Sequence, residues 1–203
     1  MNPSENQTAQ KFHIPDGEIS LFDSFFNNTI SEFYFKVIQR EINWKQHRIS
    51  LFGKSILEPR LTAFYGRPGV SYKYSGKVMQ AQKLTKELIE IQESIERFSK
   101  TNFNSILLNY YRSGNDSMGW HSDDESCLGK NPTIASISLG STRKMHFKHK
   151  TLKNQKVNIT LNNGSLLLMS GSLQHQWKHQ IPKSKRIFLP RINLTFRKIY
   201  ISS

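Results

Sequence analysis

His121 and Asp123 stand two residues apart in "GWHSDDES", residues 119–126, where one histidine, two aspartates and a glutamate gather in a chain of formal net charge +14. On an extended strand alternate side chains share a face, so the imidazole of His121 and the carboxylate of Asp123 can meet one cation. A third ligand must come from elsewhere, and "LQHQWKHQIP" offers two, His175 and His179. A second group of chemistry-bearing residues lies in "RINLTFRK", where period two puts Ile192, Leu194 and Phe196 on one face and Arg191, Asn193, Thr195 and Arg197 on the other. Two guanidinium groups opposite an apolar, core-forming face need anionic partners, because an unpaired buried charge is very costly. Such a strand covers about 20 Å at ~3.3 Å per residue, so both arginines must lean together to share a small ligand; a dicarboxylate would satisfy them, and on this strand alone so would separate Asp or Glu side chains.

Two histidines and one carboxylate on one face of an octahedral ion, with three positions open, form the ligand set of non-haem Fe(II) oxygenases. The competing reading is structural zinc in a nucleic-acid-binding jelly roll without catalysis. Zinc of that kind takes four protein ligands and favours Cys and His, which fits three ligands beside two arginines poorly.

The elements that must position these residues are legible in outline. The chain has 203 residues, 36% hydrophobic and 11% aromatic, enough for one substantial core. Residues 1–18 are polar and without period and read as a loose tail; a single domain is expected over 19–203. Between Phe26 and Trp44, Ile30, Phe33, Tyr34, Val37 and Ile38 recur at helical spacing. Ala81, Leu84, Leu88, Ile91, Ile95 and Phe98 mark a second helix. Between the two helices a Gly-, Pro- and aromatic-rich stretch, about 50–80, reads as short strands and hairpins. From about 105 to 200 the texture is short strands and turns: "SILLNYYR", "TIASISLG", "KMHFKH", "KVNITL", "GSLLLMS", "HQWKHQI" and "RINLTFRKI". The expected fold class is mainly β (α+β), a sandwich or jelly roll with flanking helices.

The charge of +14 favours a polyanionic partner, with nucleic acid first, since clustered cations release counterions from a phosphate backbone. The single cysteine, Cys127, cannot form an internal disulfide, and residues 1–20 lack the apolar run of a signal peptide. An intracellular site is expected, the cytoplasm in a bacterium and the nucleus in a eukaryote. No apolar run approaches the roughly 20 residues that span a bilayer, and a monomer off the membrane is expected.

"NYYRSGNDSMGWHSDDE", "GSLLLM", "WKHQIPK" and "PRINLTFRK", in that order, resemble the AlkB family of Fe(II)- and 2-oxoglutarate-dependent nucleic-acid dioxygenases. The similarity runs from about Pro59 to Ile199, and R-x-N-x-T-x-R is close to a family signature. It implies a double-stranded β-helix in which His121, Asp123 and His179 hold iron and His175 is left out. It implies that Arg197 pairs with the carboxylate of 2-oxoglutarate beside the metal and Arg191 with the distal one. Asn109, Tyr111 and Asn193 match cosubstrate contacts, and O2 is the second cosubstrate. The implied reaction is oxidative demethylation of bases such as 1-methyladenine and 3-methylcytosine in DNA or RNA, releasing formaldehyde, CO2 and succinate. An oxygenase of the same class acting on a protein or small molecule would keep the metal and arginine residues but leave the substrate-side features unexplained.

On that side the stretch about 50–80 becomes a nucleotide-recognition region. A target base must be flipped out or already single-stranded to reach a buried iron. "GVSYKYSG" offers Tyr72 and Tyr74 on one face; the resemblance has Tyr74 stack on the base opposite His121, while Tyr72 bounds the pocket or hydrogen-bonds. Glu125 matches the family's pocket carboxylate, and Asp124 would fix neighbouring Arg or Lys side chains. Phe52 in "LFGK" reads as a wedge filling the gap left by a flipped base, or equally as a core residue. Arg60, Lys73, Arg143, Lys144, Lys148, Lys150 and the run Lys183, Lys185, Arg186 are candidates to track a phosphate backbone, and each alone could be an ordinary surface charge.

Overall fold

The computed structural model describes residues 7–51, 54–74 and 77–200. Its N-terminal half contains strands β1 (Gln10–Phe12), β2 (Glu18–Phe22), β3 (Arg48–Leu51), β4 (Lys54–Leu57), β5 (Leu61–Gly66), β6 (Ser71–Tyr74), β7 (Lys77–Gln80) and β8 (Gln82–Lys83). Two helices interrupt them or follow them, α1 (Asn28–Glu41) and α2 (Lys86–Ser99). The remainder is β9 (Ser105–Tyr111), β10 (Met118–His121), β11 (Ile134–Gly140), β12 (Arg143–His149), β13 (Lys156–Leu161), β14 (Leu166–Ser170), β15 (Trp177–Ile181) and β16 (Arg191–Arg197).

Two sheets face each other as a jelly roll. The larger runs β1-β2-β14-β11-β16-β9-β5-β8 and the smaller β10-β15-β12-β13, while β3-β4 and β6-β7 are separate hairpins. Every residue of β16 is buried, for two different reasons. Ile192, Leu194 and Phe196 join a core that includes Tyr34 and Ile38 of α1 and Leu88, Ile91 and Ile95 of α2. Arg191, Asn193, Thr195 and Arg197 point the other way and line a cavity between the sheets. Apolar side chains such as Phe147, Ile159, Leu167 and Trp177 fill the rest of that space. The helices thus clamp the larger sheet from outside and fix which face of β16 turns inward.

Both helices start at side-chain caps: Asn27 Oδ1 accepts from Ile30 N at 2.9 Å, and Thr85 Oγ1 from Leu88 N at 3.4 Å. A cap of this kind is worth about 1 kcal/mol, and it starts α2 later than apolar spacing alone suggested. Ala81 and Leu84 precede the cap, flank β8 and pack, partly buried, against the apolar core. Residues 10–12, inside the stretch expected to be a loose tail, instead form β1, with Gln10 opposite Leu21 and Phe12 opposite Ile19. Pairing satisfies backbone groups that a polar, aperiodic sequence gives no sign of burying. "HQWKHQI" is also not one strand: Leu173–Gln176 form a short helical turn and the strand begins at Trp177.

Candidate metal and 2-oxoglutarate site

His121 ends β10 and His179 sits in the middle of β15, directly opposite each other in the antiparallel register. Their rings lie 4.2 Å apart between centroids. With Asp123 they present ligand atoms that all fall within 4.8 Å of one another. The carbonyl oxygen of Gly119 lies 2.9 Å from Nδ1 of His121, and since a carbonyl only accepts, that nitrogen carries the proton and Nε2 is left for a metal. Two bonds fix the turn that carries Asp123: Ser122 Oγ donates to Trp177 O at 2.8 Å, and Asp123 N donates to Gln174 Oε1 at 3.0 Å. His175 is outside the group, its Nε2 accepting from Asn131 N at 3.3 Å.

The charge states suit a divalent cation. Burial, helped by the neighbouring His121, pushes His179 down to about 3, so its imidazole is neutral at ordinary pH. Burial also lowers His121. Burial by itself would raise the Asp123 carboxyl, but Arg197 and the two imidazoles hold it below its usual range.

Arg197 and Arg191 are 4% and 1% exposed. Arg197 Nη2 donates to Asp123 Oδ1 at 2.6 Å, and Arg191 Nη2 donates to Ser138 Oγ at 2.9 Å. In both, Nε and Nη1 are buried without a partner. Tyr111 lies under Arg191, 5.3 Å from guanidinium carbon to ring centroid. Burial, helped by the nearby Arg143, lowers Arg191 to about 10 against the opposing pull of Tyr111. Leaving a buried donor unmade costs roughly 1 to 3 kcal/mol, more for a charged one, so two such forks lining one cavity call for an acceptor-rich anion. A dicarboxylate placed beside a cation held by His121, Asp123 and His179 fits this donor set.

Other residues singled out from the sequence are placed differently. Asn109 and Asn193 line the cavity; Asn109 Oδ1 accepts from Arg60 Nε at 2.7 Å, and Asn193 Nδ2 donates to Ser136 Oγ at 2.8 Å and to Ile137 O at 3.0 Å. Arg60 is no surface phosphate contact. It is 2% exposed, and besides Asn109 it faces Glu58 at 3.7 Å. Arg143 is corrected in the same way: 2% exposed, it donates to the carbonyls of Ser113, Asp116 and Pro182. A long cation flanked by carbonyls and a carboxylate is drawn inward, which counting basic residues cannot show. Tyr72 is buried, and its hydroxyl donates to Glu125 Oε1 at 2.6 Å, while Glu125 Oε2 is buried without a partner. Asp124 accepts from Lys150 Nζ at 2.9 Å. Lys183, Lys185 and Arg186 are exposed in the segment joining β15 to β16. Phe52 and the side chains of Lys73 and Tyr74 lie outside the described residues. Ser136, Ser138 and Gln174 escaped the sequence reading. The two serines left a signal, since "SIS" in an otherwise apolar strand sets two hydroxyls on one face.

A model of the 2OG-Fe(II) oxygenase superfamily matches residues 18–197. The chain belongs to that superfamily, in its AlkB family. Bovine alpha-ketoglutarate-dependent dioxygenase alkB homolog 3 is 36% identical over 191 residues, 90% of this chain and 66% of that protein. Human DNA oxidative demethylase ALKBH2 is 32% identical over 187 residues, 87% of this chain and 72% of that protein. The chain thus spans just under two thirds of the homolog 3 relative. The solved structure of OsALKBH1 shares the fold, with a TM-score of 0.61 at 14% identity, covering 93% of this chain and all of that one. Fe(II) and 2-oxoglutarate are the metal and cosubstrate of the superfamily, and His121, Asp123 and His179 could hold such a metal.

Proposed function

We propose that the protein removes alkyl groups oxidatively from base nitrogens in nucleic acid, using Fe(II), 2-oxoglutarate and O2. The observation that carries this is the triad of His121 with the buried Asp123 and His179, sharing one cavity with two arginines whose Nε and Nη1 donors have no partner. His121, Asp123 and His179 would hold the metal, and Arg197 and Arg191 the two carboxylates of 2-oxoglutarate. Once bound, iron and cosubstrate supply the activation of O2, coupled to loss of CO2 and formation of succinate, by which a methyl C–H becomes C–OH.

The protein's own residues orient and select. Arg197 keeps Asp123 ionised and turned toward the imidazoles, and the Gly119 carbonyl fixes the tautomer of His121. Glu125, held by the Tyr72 hydroxyl, keeps one buried oxygen for the positive charge or exocyclic amino group of an N-methylated base. After hydroxylation the hydroxyl proton is released as the C=O bond forms, the N–C bond breaks with its electron pair returning to the base nitrogen, and formaldehyde leaves. Relatives named DNA oxidative demethylase, at 32% identity, support DNA as the substrate class.

The test is formaldehyde release from oligonucleotides carrying 1-methyladenine or 3-methylcytosine, with Fe(II) and 2-oxoglutarate present. Release that stops on omitting either one is expected. Succinate formation stimulated by a peptide or small molecule, with no formaldehyde from any methylated oligonucleotide, would move the protein to a different substrate class.

A further inference from the structure

Residues 126–203 contain 14 Lys and Arg and no Asp or Glu, whereas residues 1–125 hold 15 of each sign. The whole formal charge of +14 therefore resides in the C-terminal part of the chain, which supplies β12, β13 and β15 of the smaller sheet. On the outer face of that sheet Lys148 lies directly opposite Lys156 on one side and directly opposite Lys178 on the other. Three ammonium side chains thus form a row across three adjacent strands, about 10 Å wide at ~4.8 Å per strand. Like charges directly opposite each other destabilise a sheet. Among the described residues no carboxylate pairs with any of the three.

A fold whose local choices otherwise agree departs from that rule where function requires it. The row also has a definite relation to the site. Lys178 and Trp120 immediately precede the triad residues His179 and His121, so they project from the reverse side of the same two strands. Trp120 is 38% exposed, and Lys148 Nζ stands 4.4 Å from its ring centroid.

We propose that the outer face of the smaller sheet is a second, sequence-independent binding surface, on which the phosphate backbone flanking the target nucleotide rests while the target enters the cavity. This rests on nucleic acid being the substrate. A phosphate backbone supplies repeated negative charge to a row of amines, one of which, Lys148, is held over the Trp120 ring. An anionic membrane would call for an apolar anchor. Trp120 is the one large apolar side chain on this face among the described residues, and a cation already covers it.

The experiment is a salt titration of binding to an unmethylated single-stranded oligodeoxynucleotide, read by fluorescence anisotropy, for wild type and the triple variant K148Q/K156Q/K178Q. Losing three phosphate contacts should flatten the slope of log affinity against log salt by about 2 and weaken binding on the order of tenfold or more near 0.1 M salt. On a methylated oligonucleotide kcat should stay and KM rise. The melting temperature should not fall, because repulsion has been removed. An unchanged slope, with formaldehyde release intact in both proteins, would overturn the surface and leave the demethylase reading standing. Loss confined to phosphatidylserine-containing vesicles, with oligonucleotide binding unchanged, would overturn it in favour of a membrane. If wild type releases no formaldehyde from any methylated oligonucleotide yet the slope still flattens, the surface stands and the demethylase reading falls.

Discussion

Arg197 donates from Nη2 to Oδ1 of Asp123 at 2.6 Å, joining the last residue of β16 to the turn after β10 with both side chains 4% exposed. One guanidinium can therefore serve two anions. It keeps the Asp123 carboxylate charged, and its Nε and Nη1 remain for a second acceptor. On the proposed function, metal binding and cosubstrate binding would be coupled through this single side chain.

Arg197→Lys separates the two roles. An ammonium keeps the charge beside Asp123 but not the planar fork. The 2-oxoglutarate concentration for half-maximal turnover should rise about tenfold or more, the equivalent of ~1.4 kcal/mol, while Fe(II) binding persists. Cosubstrate titration alongside metal titration checks both, and unchanged cosubstrate dependence would remove Arg197 from that role.

His179 and His175 share one short segment but not one environment. His179→Ala should abolish turnover and metal binding at one equivalent of Fe(II), and His175→Ala should leave most of both. The reverse pattern, measured by metal titration and succinate formation, would reassign the third ligand.

Stability without metal should fall in acid. His179 has its folded value depressed to about 3 from 6.5, so below the higher value the unfolded chain takes up a proton that the folded chain refuses. The depressed Asp123 carboxyl acts in the same sense at lower pH. The melting temperature of metal-free protein should decline from just above pH 6.5 toward pH 3, and His179→Gln should flatten that decline by up to one proton.

Tyr72→Phe keeps the ring beside Arg197 and deletes the 2.6 Å bond to Glu125. A hydrogen bond to a charged group contributes about 1.5 to 3 kcal/mol. kcat/KM on a methylated oligonucleotide should fall on the order of ten- to a hundredfold, with cosubstrate and metal dependence unchanged. A parallel rise in the 2-oxoglutarate requirement would place Tyr72 with the cosubstrate instead.

Arg60→Ala tests the correction from surface cation to buried support. Removing one partner of a buried ion pair costs about 3 to 5 kcal/mol. A loss of that order in chemical denaturation is expected, and a variant as stable as wild type with weaker nucleic-acid binding would restore the surface reading.

The sequence by itself determined the jelly-roll class, both helices and which residues share a face around the candidate site. In each case the signal is local periodicity: alternate residues on a strand share a face, so His121 with Asp123, and Arg191 with Arg197, could be grouped without knowing what lay across from them. Tertiary structure decided everything that depends on which strands become neighbours. The pairing of β10 with β15 sets His121 opposite His179, Arg60 goes inward because Asn109 and Glu58 receive it, and β1 exists only because β2 offers an edge. The lysine row is of the same kind, since Lys148, Lys156 and Lys178 are up to 30 residues apart and meet only through strand register. Hydrogen-bond register between distant strands is a property of the folded sheet as a whole, and no window of sequence contains it.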